Sequence, residues 1–225
     1  VAWGAQRLGL KCKIFISENV SESRAEAMRN LDADVIRVQG NYDNSLKECI
    51  KQSKDNNWEI VQDVSWEGYK EVPKLIMAGY TIMIKEIIDQ VDANSITHVF
   101  LQAGVGGMAA AMIAGFAHLS KNIPKFIVVE PENADCVLKS VEKGSLQKID
   151  IKKESIMGGM SCGEVSLVPW QILKESVDNC STVPDKYVAK TVAMLKNKIF
   201  SDEKIVGGEC STPGIISLIA SSEDN

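Results

Sequence analysis

The chain has 225 residues, 45% hydrophobic and 24% charged, a balance that suits a globular protein able to bury a real core. Its net charge of −5 comes from interspersed acids and bases with no basic run, which argues against nucleic acid as a partner. No stretch reaches the roughly 18 apolar residues of a membrane span, and no basic-then-apolar signal opens the chain, so a cytoplasmic protein with no membrane partner is expected.

The opening Val1-Ala2-Trp3-Gly4-Ala5-Gln6-Arg7 is already helical in pattern and lacks an initiator methionine, and Asp224-Asn225 follows an apolar run, so both ends are expected to be cut. Cys12 to Ile16 reads as a short strand, followed by a helix from Arg24 to Leu31 with Ser21 as N-cap. Asp34 to Val38 is a second predicted strand, Asp43 to Ser53 a second helix, and Trp58 to Asp63 a third strand. These three strands form one βαβαβ group, which places a domain boundary near Ser65, with residues 1–64 in one domain and 65–225 in the other.

One long helix is predicted from about Val72 to Val91, entered through Pro73, whose fixed φ suits a first turn. Its Met and Ile positions are read as core. Thr97 to Leu101 and Lys125 to Val129 are short, β-branched or aromatic runs and read as strands, with a small-residue helix from Met108 to Leu119 between them. The alternation of strands and helices predicts an α/β fold with parallel sheets. The six cysteines, Cys12, Cys49, Cys136, Cys162, Cys180 and Cys210, lack the paired spacing of a zinc or redox site and read as thiols. His98 reads as a strand residue and His118 as helix surface, with no spacing suited to a metal.

Four segments carry candidate chemistry. Gln102-Ala103-Gly104-Val105-Gly106-Gly107-Met108 stands between a strand and a helix. There glycines let backbone N–H groups converge on a phosphate at the helix N-terminus. The alternative is a glycine-rich turn that only packs the helix onto the sheet. The segment matches neither the P-loop nor the dinucleotide fingerprint. Asp63, at the end of its predicted strand and beside Trp66 and Tyr69, is a candidate acid or base, or else a turn-forming or capping Asp.

Val206-Gly207-Gly208-Glu209-Cys210-Ser211-Thr212-Pro213-Gly214 is another glycine-rich turn into a helix. Its Cys210 and Ser211 either reach a ligand ring or belong to a capped helix start with a structural cysteine. Met157 to Glu164, with three glycines, is a loop or a close approach to something. Its Glu164 either lines a pocket or is an exposed loop acid.

Taken in order, Val1 to Ala5, Val61 to Tyr69, Leu101 to Met108, Val129-Glu130-Pro131 with Ala134-Asp135-Cys136, and Met160 to Glu164 resemble diaminopropionate ammonia-lyase over essentially the whole chain. That family belongs to the fold-type II pyridoxal-phosphate (PLP) group, with threonine deaminase and tryptophan synthase β. The resemblance implies a two-domain fold with parallel open sheets flanked by helices, truncated at both ends. It further implies pyridoxal 5'-phosphate as cofactor, a small amino-acid substrate, a homodimer, and elimination of ammonia from 2,3-diaminopropionate to give pyruvate.

By the same resemblance Gly104, Val105, Gly106, Gly107 and Met108 bind the cofactor phosphate, and Cys210 faces the pyridine nitrogen. A neutral thiol there makes the ring a weaker electron sink than a carboxylate would, which suits elimination. Asp63 matches an acid that exchanges the α-proton of one substrate enantiomer. Cys136 and Cys162 fall in segments that approach the cofactor side, and whether they bond to each other is left open. The family's Schiff-base lysine motif and its Gly-Asn-His-Gly segment match nothing here and are expected upstream of Val1, so the chain by itself is expected to lack turnover. A threonine or serine dehydratase, or a non-catalytic α/β ligand-binding module, are the competing readings.

Overall fold

A computed structural model describes residues 1–40 and 42–223. Asn41, Asp224 and Asn225 lie outside the described residues. The chain divides into two compact units, residues 1–62 and 63–225.

In the first unit α1 (Ala2–Arg7) leads to β1 (Cys12–Ser17), α2 (Glu22–Arg29), β2 (Ala33–Val38) and α3 (Tyr42–Asn56). The strands pair in parallel from Cys12 with Ala33 to Ser17 with Val38, as a βαβ crossover through α2 requires. Ser21 is the N-cap of α2, but its hydroxyl meets Ser23 instead of a first-turn N–H. α3 is followed by Asn57, in the left-handed region at φ 55°, after which the Trp58 N–H reaches back to Ser53 O at 2.8 Å.

The expected third strand, Trp58 to Asp63, is not formed, so the group is a two-stranded βαβα unit. A strand exists only as one side of a hydrogen-bonded ladder, whatever its side-chain pattern. Here Ile60, Val61 and Gln62 share with Ile14 and Phe15 the lining of a cavity of about 460 Å³. Trp58 takes the Lys13 ammonium over its ring at 5.4 Å.

The second unit carries α4 (Glu71–Tyr80), α5 (Ile82–Gln90), β3 (His98–Gln102), α6 (Gly107–Leu119), β4 (Lys125–Pro131), α7 (Cys136–Lys143), α8 (Leu167–Ser176), β5 (Asn179–Val183), α9 (Val188–Lys196) and α10 (Pro213–Glu223). Its sheet is parallel in the order β3-β4-β5, with His98 opposite Lys125 and Ile127 opposite Asn179. The central strand β4 is buried from Phe126 to Pro131, the pattern of a parallel strand covered on both faces. α6 buries Ala109, Ala110, Ala111, Met112, Ile113 and Phe116 against the core. Gly115 admits Ile84, whose Cγ1 would stand 2.5 Å from an added Cβ.

The single helix expected over 72–91 is two. Thr81 Oγ1 donates to Ala78 O at 2.7 Å and the Thr81 N–H bonds the same carbonyl, so the ladder tightens to i−3 and restarts at Ile82. Pro73 sits in the first turn of α4 and is buried. Of the Met and Ile positions read as core, Met77 and Ile84 are buried whereas Ile82 is 61% exposed. β5 was not predicted, because Asn179-Cys180-Ser181-Thr182 is polar and shows no alternation. It is a strand because the buried β4 offers it a free edge.

Candidate functional site

Two parallel strands joined by a helix must turn at the carboxyl end of the first, and the chain makes this turn with small residues. β3 ends at Gln102 and α6 begins at Gly107. Gly106 is the N-cap of α6 at φ 91°, a conformation that favours glycine, and it is pressed onto α8. A Cβ at Gly106 would meet Leu173 Cδ1 at 2.6 Å and Pro169 Cβ at 3.4 Å. Gly104 is as crowded, since a Cβ there would meet Cys162 Sγ and Gly159 O at 3.0 Å. At Gly107 an added Cβ would meet nothing within 4 Å.

Ala103 still donates to Val129 O at 3.0 Å, as a continuation of β3. Among the described residues none of the next five N–H groups, Gly104 to Met108, donates to a backbone carbonyl. Several adjacent amides without backbone acceptors, opening a 13-residue helix, give this turn a positive potential. That arrangement fits a phosphate, and the open space at Gly107 leaves room for one.

The other candidates gather around this turn. Residues 158–160 form a single 3₁₀ turn under Gly104, and a Cβ at Gly159 would stand 3.4 Å from Cys210 Sγ. Burial pushes the Cys162 thiol up to about 12, with further upward contributions from the negative charges of Asp63, Glu130 and Glu154 and from Cys210. Asp63 and Cys210 thus lie within electrostatic reach of the side chain that packs on Gly104. Burial also raises the Tyr80 phenol, with the Asp63 charge as the second cause.

Asp63 does not end a strand. It occupies a half-buried bend at the start of the second unit, followed by a turn in which Trp66 and Tyr69 exchange backbone bonds of 3.2 and 3.0 Å and stack at 4.3 Å. Gly68, at φ 85°, makes that turn. The second glycine-rich segment is organised differently: Glu209–Ser211 is a 3₁₀ turn in which Ser211 N–H and Oγ both reach Gly208 O. Glu164 is exposed and pairs with Lys148 at 3.5 Å. His98 is in β3 and His118 on the exposed side of α6.

The sequence reading attached no role to Glu130. Its side chain is buried at the end of β4 and accepts from the N–H groups of Val137 and Leu138, both at 2.8 Å, so it caps α7 from outside. Burial pushes its carboxyl up to about 7, against the opposing pull of those two N–H groups. Cys136, the first residue of α7, is buried with a raised thiol pKa, and its Sγ–H donates to Gly104 O at 3.7 Å. An acid inside an otherwise apolar strand run was the visible signal for Glu130. The six cysteines are thiols, and among the described residues no cluster of His, Cys, Asp and Glu suits a metal ion. Among the described residues no helix is long and apolar enough to cross a membrane.

Known proteins resemble this chain in sequence and fold. The chain is 34% identical to diaminopropionate ammonia-lyase of Escherichia coli K12 over 98% of its own length and 56% of the relative. A crystal structure of the Escherichia coli enzyme in complex with D-serine superposes with a TM-score of 0.89, again covering 98% of this chain and 56% of that one. The mitochondrial threonine dehydratase of Schizosaccharomyces pombe is 23% identical over 80% of the chain and 28% of the relative. The chain therefore spans about half the length of the ammonia-lyases it matches. The family model for pyridoxal-phosphate dependent enzymes matches residues 1–212; with its parallel sheets and the glycine turn after β3, this chain belongs to that family.

Proposed function

We propose that the protein carrying this chain is a pyridoxal-phosphate ammonia-lyase that converts 2,3-diaminopropionate to pyruvate and ammonia. The observation that carries the reading is the run of backbone amides from Gly104 to Met108 that donate to no backbone carbonyl, at the start of α6, with Cys162 packed on Gly104 and within electrostatic reach of Asp63. The amides of Gly104, Val105, Gly106, Gly107 and Met108 hold the coenzyme phosphate. Cys210 would face the pyridine ring of the coenzyme. When bound, the coenzyme supplies the electron sink that makes the substrate α-proton removable.

Asp63 takes or returns that α-proton for one substrate enantiomer, as a carboxylate within reach of the reacting carbon can. Trp66 and Tyr69 wall the segment that carries it. In this reading residues 1–64 are the remainder of a smaller domain and residues 65–225 part of the cofactor domain. A homodimer in the cytoplasm completes it, supported by the resemblance and by cysteines that stand as thiols.

The test uses the full coded protein reconstituted with pyridoxal 5'-phosphate. Pyruvate and ammonia release are measured from D- and L-2,3-diaminopropionate, L-serine and L-threonine. We expect kcat/KM for diaminopropionate to exceed that for the hydroxy amino acids by at least about tenfold. Preference for threonine or serine would turn the assignment to a dehydratase. No coenzyme uptake, seen as no new visible absorbance, would leave a non-catalytic ligand-binding module.

A further inference from the structure

Two buried serines a hundred residues apart join the segment after Asp63 to the glycine turn. Ser65 is 3% and Ser166 2% exposed, and their hydroxyls stand 2.6 Å apart. The Ser65 N–H donates to Ser166 Oγ at 2.7 Å, the Val168 N–H to Ser65 Oγ at 2.8 Å, and the Leu167 N–H to Ser65 O at 3.3 Å. Ser166 in turn donates its own N–H to Val105 O, in the middle of the turn, at 3.0 Å.

Ser166 is the N-cap of α8, and an N-cap serine ordinarily caps its own helix. Its hydroxyl makes no such bond. The cap comes instead from Ser65, and the Ser166 hydroxyl is turned to the Ser65 backbone. A local cap closes a short loop, whereas this exchange of partners holds distant segments together. What it gains is position: both the N–H and the C=O of Ser65 are held by α8, the helix on which Gly106 is packed. Asp63, two residues earlier, is within about 7 Å of chain from that fixed point.

We propose that Ser65 and Ser166 form a clasp that sets the distance of Asp63 from the phosphate-binding turn, which makes them positioning residues for proton transfer by Asp63. The inference rests on the role proposed above for Asp63.

The experiment compares Asp63→Asn, Ser65→Ala, Ser166→Ala and Ser65→Thr in the full coded protein. Kinetics are taken on both enantiomers of 2,3-diaminopropionate, and hydrogen–deuterium exchange is followed in the cofactor-free protein. Asp63→Asn identifies the enantiomer that depends on Asp63. We expect Ser65→Ala and Ser166→Ala to lower kcat for that same enantiomer by about tenfold or more, as a sub-ångström misplacement does, with KM and the other enantiomer changed less than about twofold. Exchange over residues 63–69 should quicken by about tenfold, and Ser65→Thr, which keeps the hydroxyl, should restore both readouts.

Equal losses on both enantiomers, or none, beside a selective Asp63→Asn would overturn the clasp and leave the role of Asp63 standing. A nonselective Asp63→Asn would sink that role and the clasp with it. If an alanine variant does not fold, Ser65→Cys gives the same comparison with a weaker acceptor of similar size.

Discussion

The two glycine-rich turns that lead into helices, Gly104 to Met108 and Val206 to Gly214, are alike in composition and differ in what packs against them. In the first, Gly106 and Gly104 are wedged against Leu173 and Cys162, and none of the five amides from Gly104 to Met108 donates to a carbonyl among the described residues. In the second, Ser211 bonds Gly208 O and the Thr212 hydroxyl bonds Glu209 O, a Cβ at Gly207 would meet only Ser211 and Leu195 within 4 Å, and Val206 is 81% exposed. A turn becomes a binding surface when packing fixes its shape and leaves its donors unspent. Glycine content does not distinguish the two cases.

The contrast can be broken most directly at Gly106. Alanine there adds a Cβ in the left-handed region and 2.6 Å from Leu173 Cδ1, so Gly106→Ala should destabilise the protein by about 4 kcal/mol in denaturant unfolding, from strain and overpacking together. A loss below about 1 kcal/mol would mean that α8 does not hold the turn.

Glu130 supports the first turn from beneath, through α7 and the Cys136 thiol on Gly104 O. Its folded pKa of about 7 is raised above the ordinary 4.5. The protonated form is therefore favoured by folding: this contribution is fully present below pH 4.5 and is lost as pH rises through about 7, by about 3 kcal/mol in all. Glu130→Gln should remove that slope. Unfolding free energies of the two proteins, measured from pH 5 to 8, should separate with rising pH as the natural protein loses stability relative to the glutamine variant; parallel profiles would show that the carboxyl is already ionised throughout.

Gly107 separates binding from folding, because its added Cβ would meet no protein atom within 4 Å. Gly107→Ala should change stability by less than about 0.5 kcal/mol. It should nonetheless weaken pyridoxal 5'-phosphate binding to the full coded protein by about tenfold, read by absorbance titration. An unchanged Kd would place the phosphate elsewhere. Gly208, equally open but in the second turn, supplies the smallest effect: Gly208→Ala should alter both quantities by less than about 0.5 kcal/mol.

Strand and helix periods made β1, β2, β3, β4 and α6 legible, because each is bounded by turns and carries its apolar residues at the spacing that its own geometry buries. The failures share a cause. Trp58 to Asp63 has strand residues without a ladder, Asn179 to Val183 a ladder without strand residues, and Thr81 splits one apolar periodicity into two helices. In each case the presence or absence of a hydrogen bond, to a partner strand or to a carbonyl three residues back, outweighed side-chain preference. The candidate site was legible at the glycine turn, Asp63 and Cys210. It was not legible at Ser65 and Ser166, whose meaning depends on contact across a hundred residues.

Residue order alone was enough for the α/β class, for a small-residue turn between β3 and α6, and for the family likeness, since these depend on local geometry and on motifs in series. The folded chain had to decide which amides stay unspent, that Glu130 caps α7, and that Ser65 rather than Ser166 caps α8. Whether a donor finds an acceptor is a property of space, and each of these bonds joins groups that the sequence holds apart.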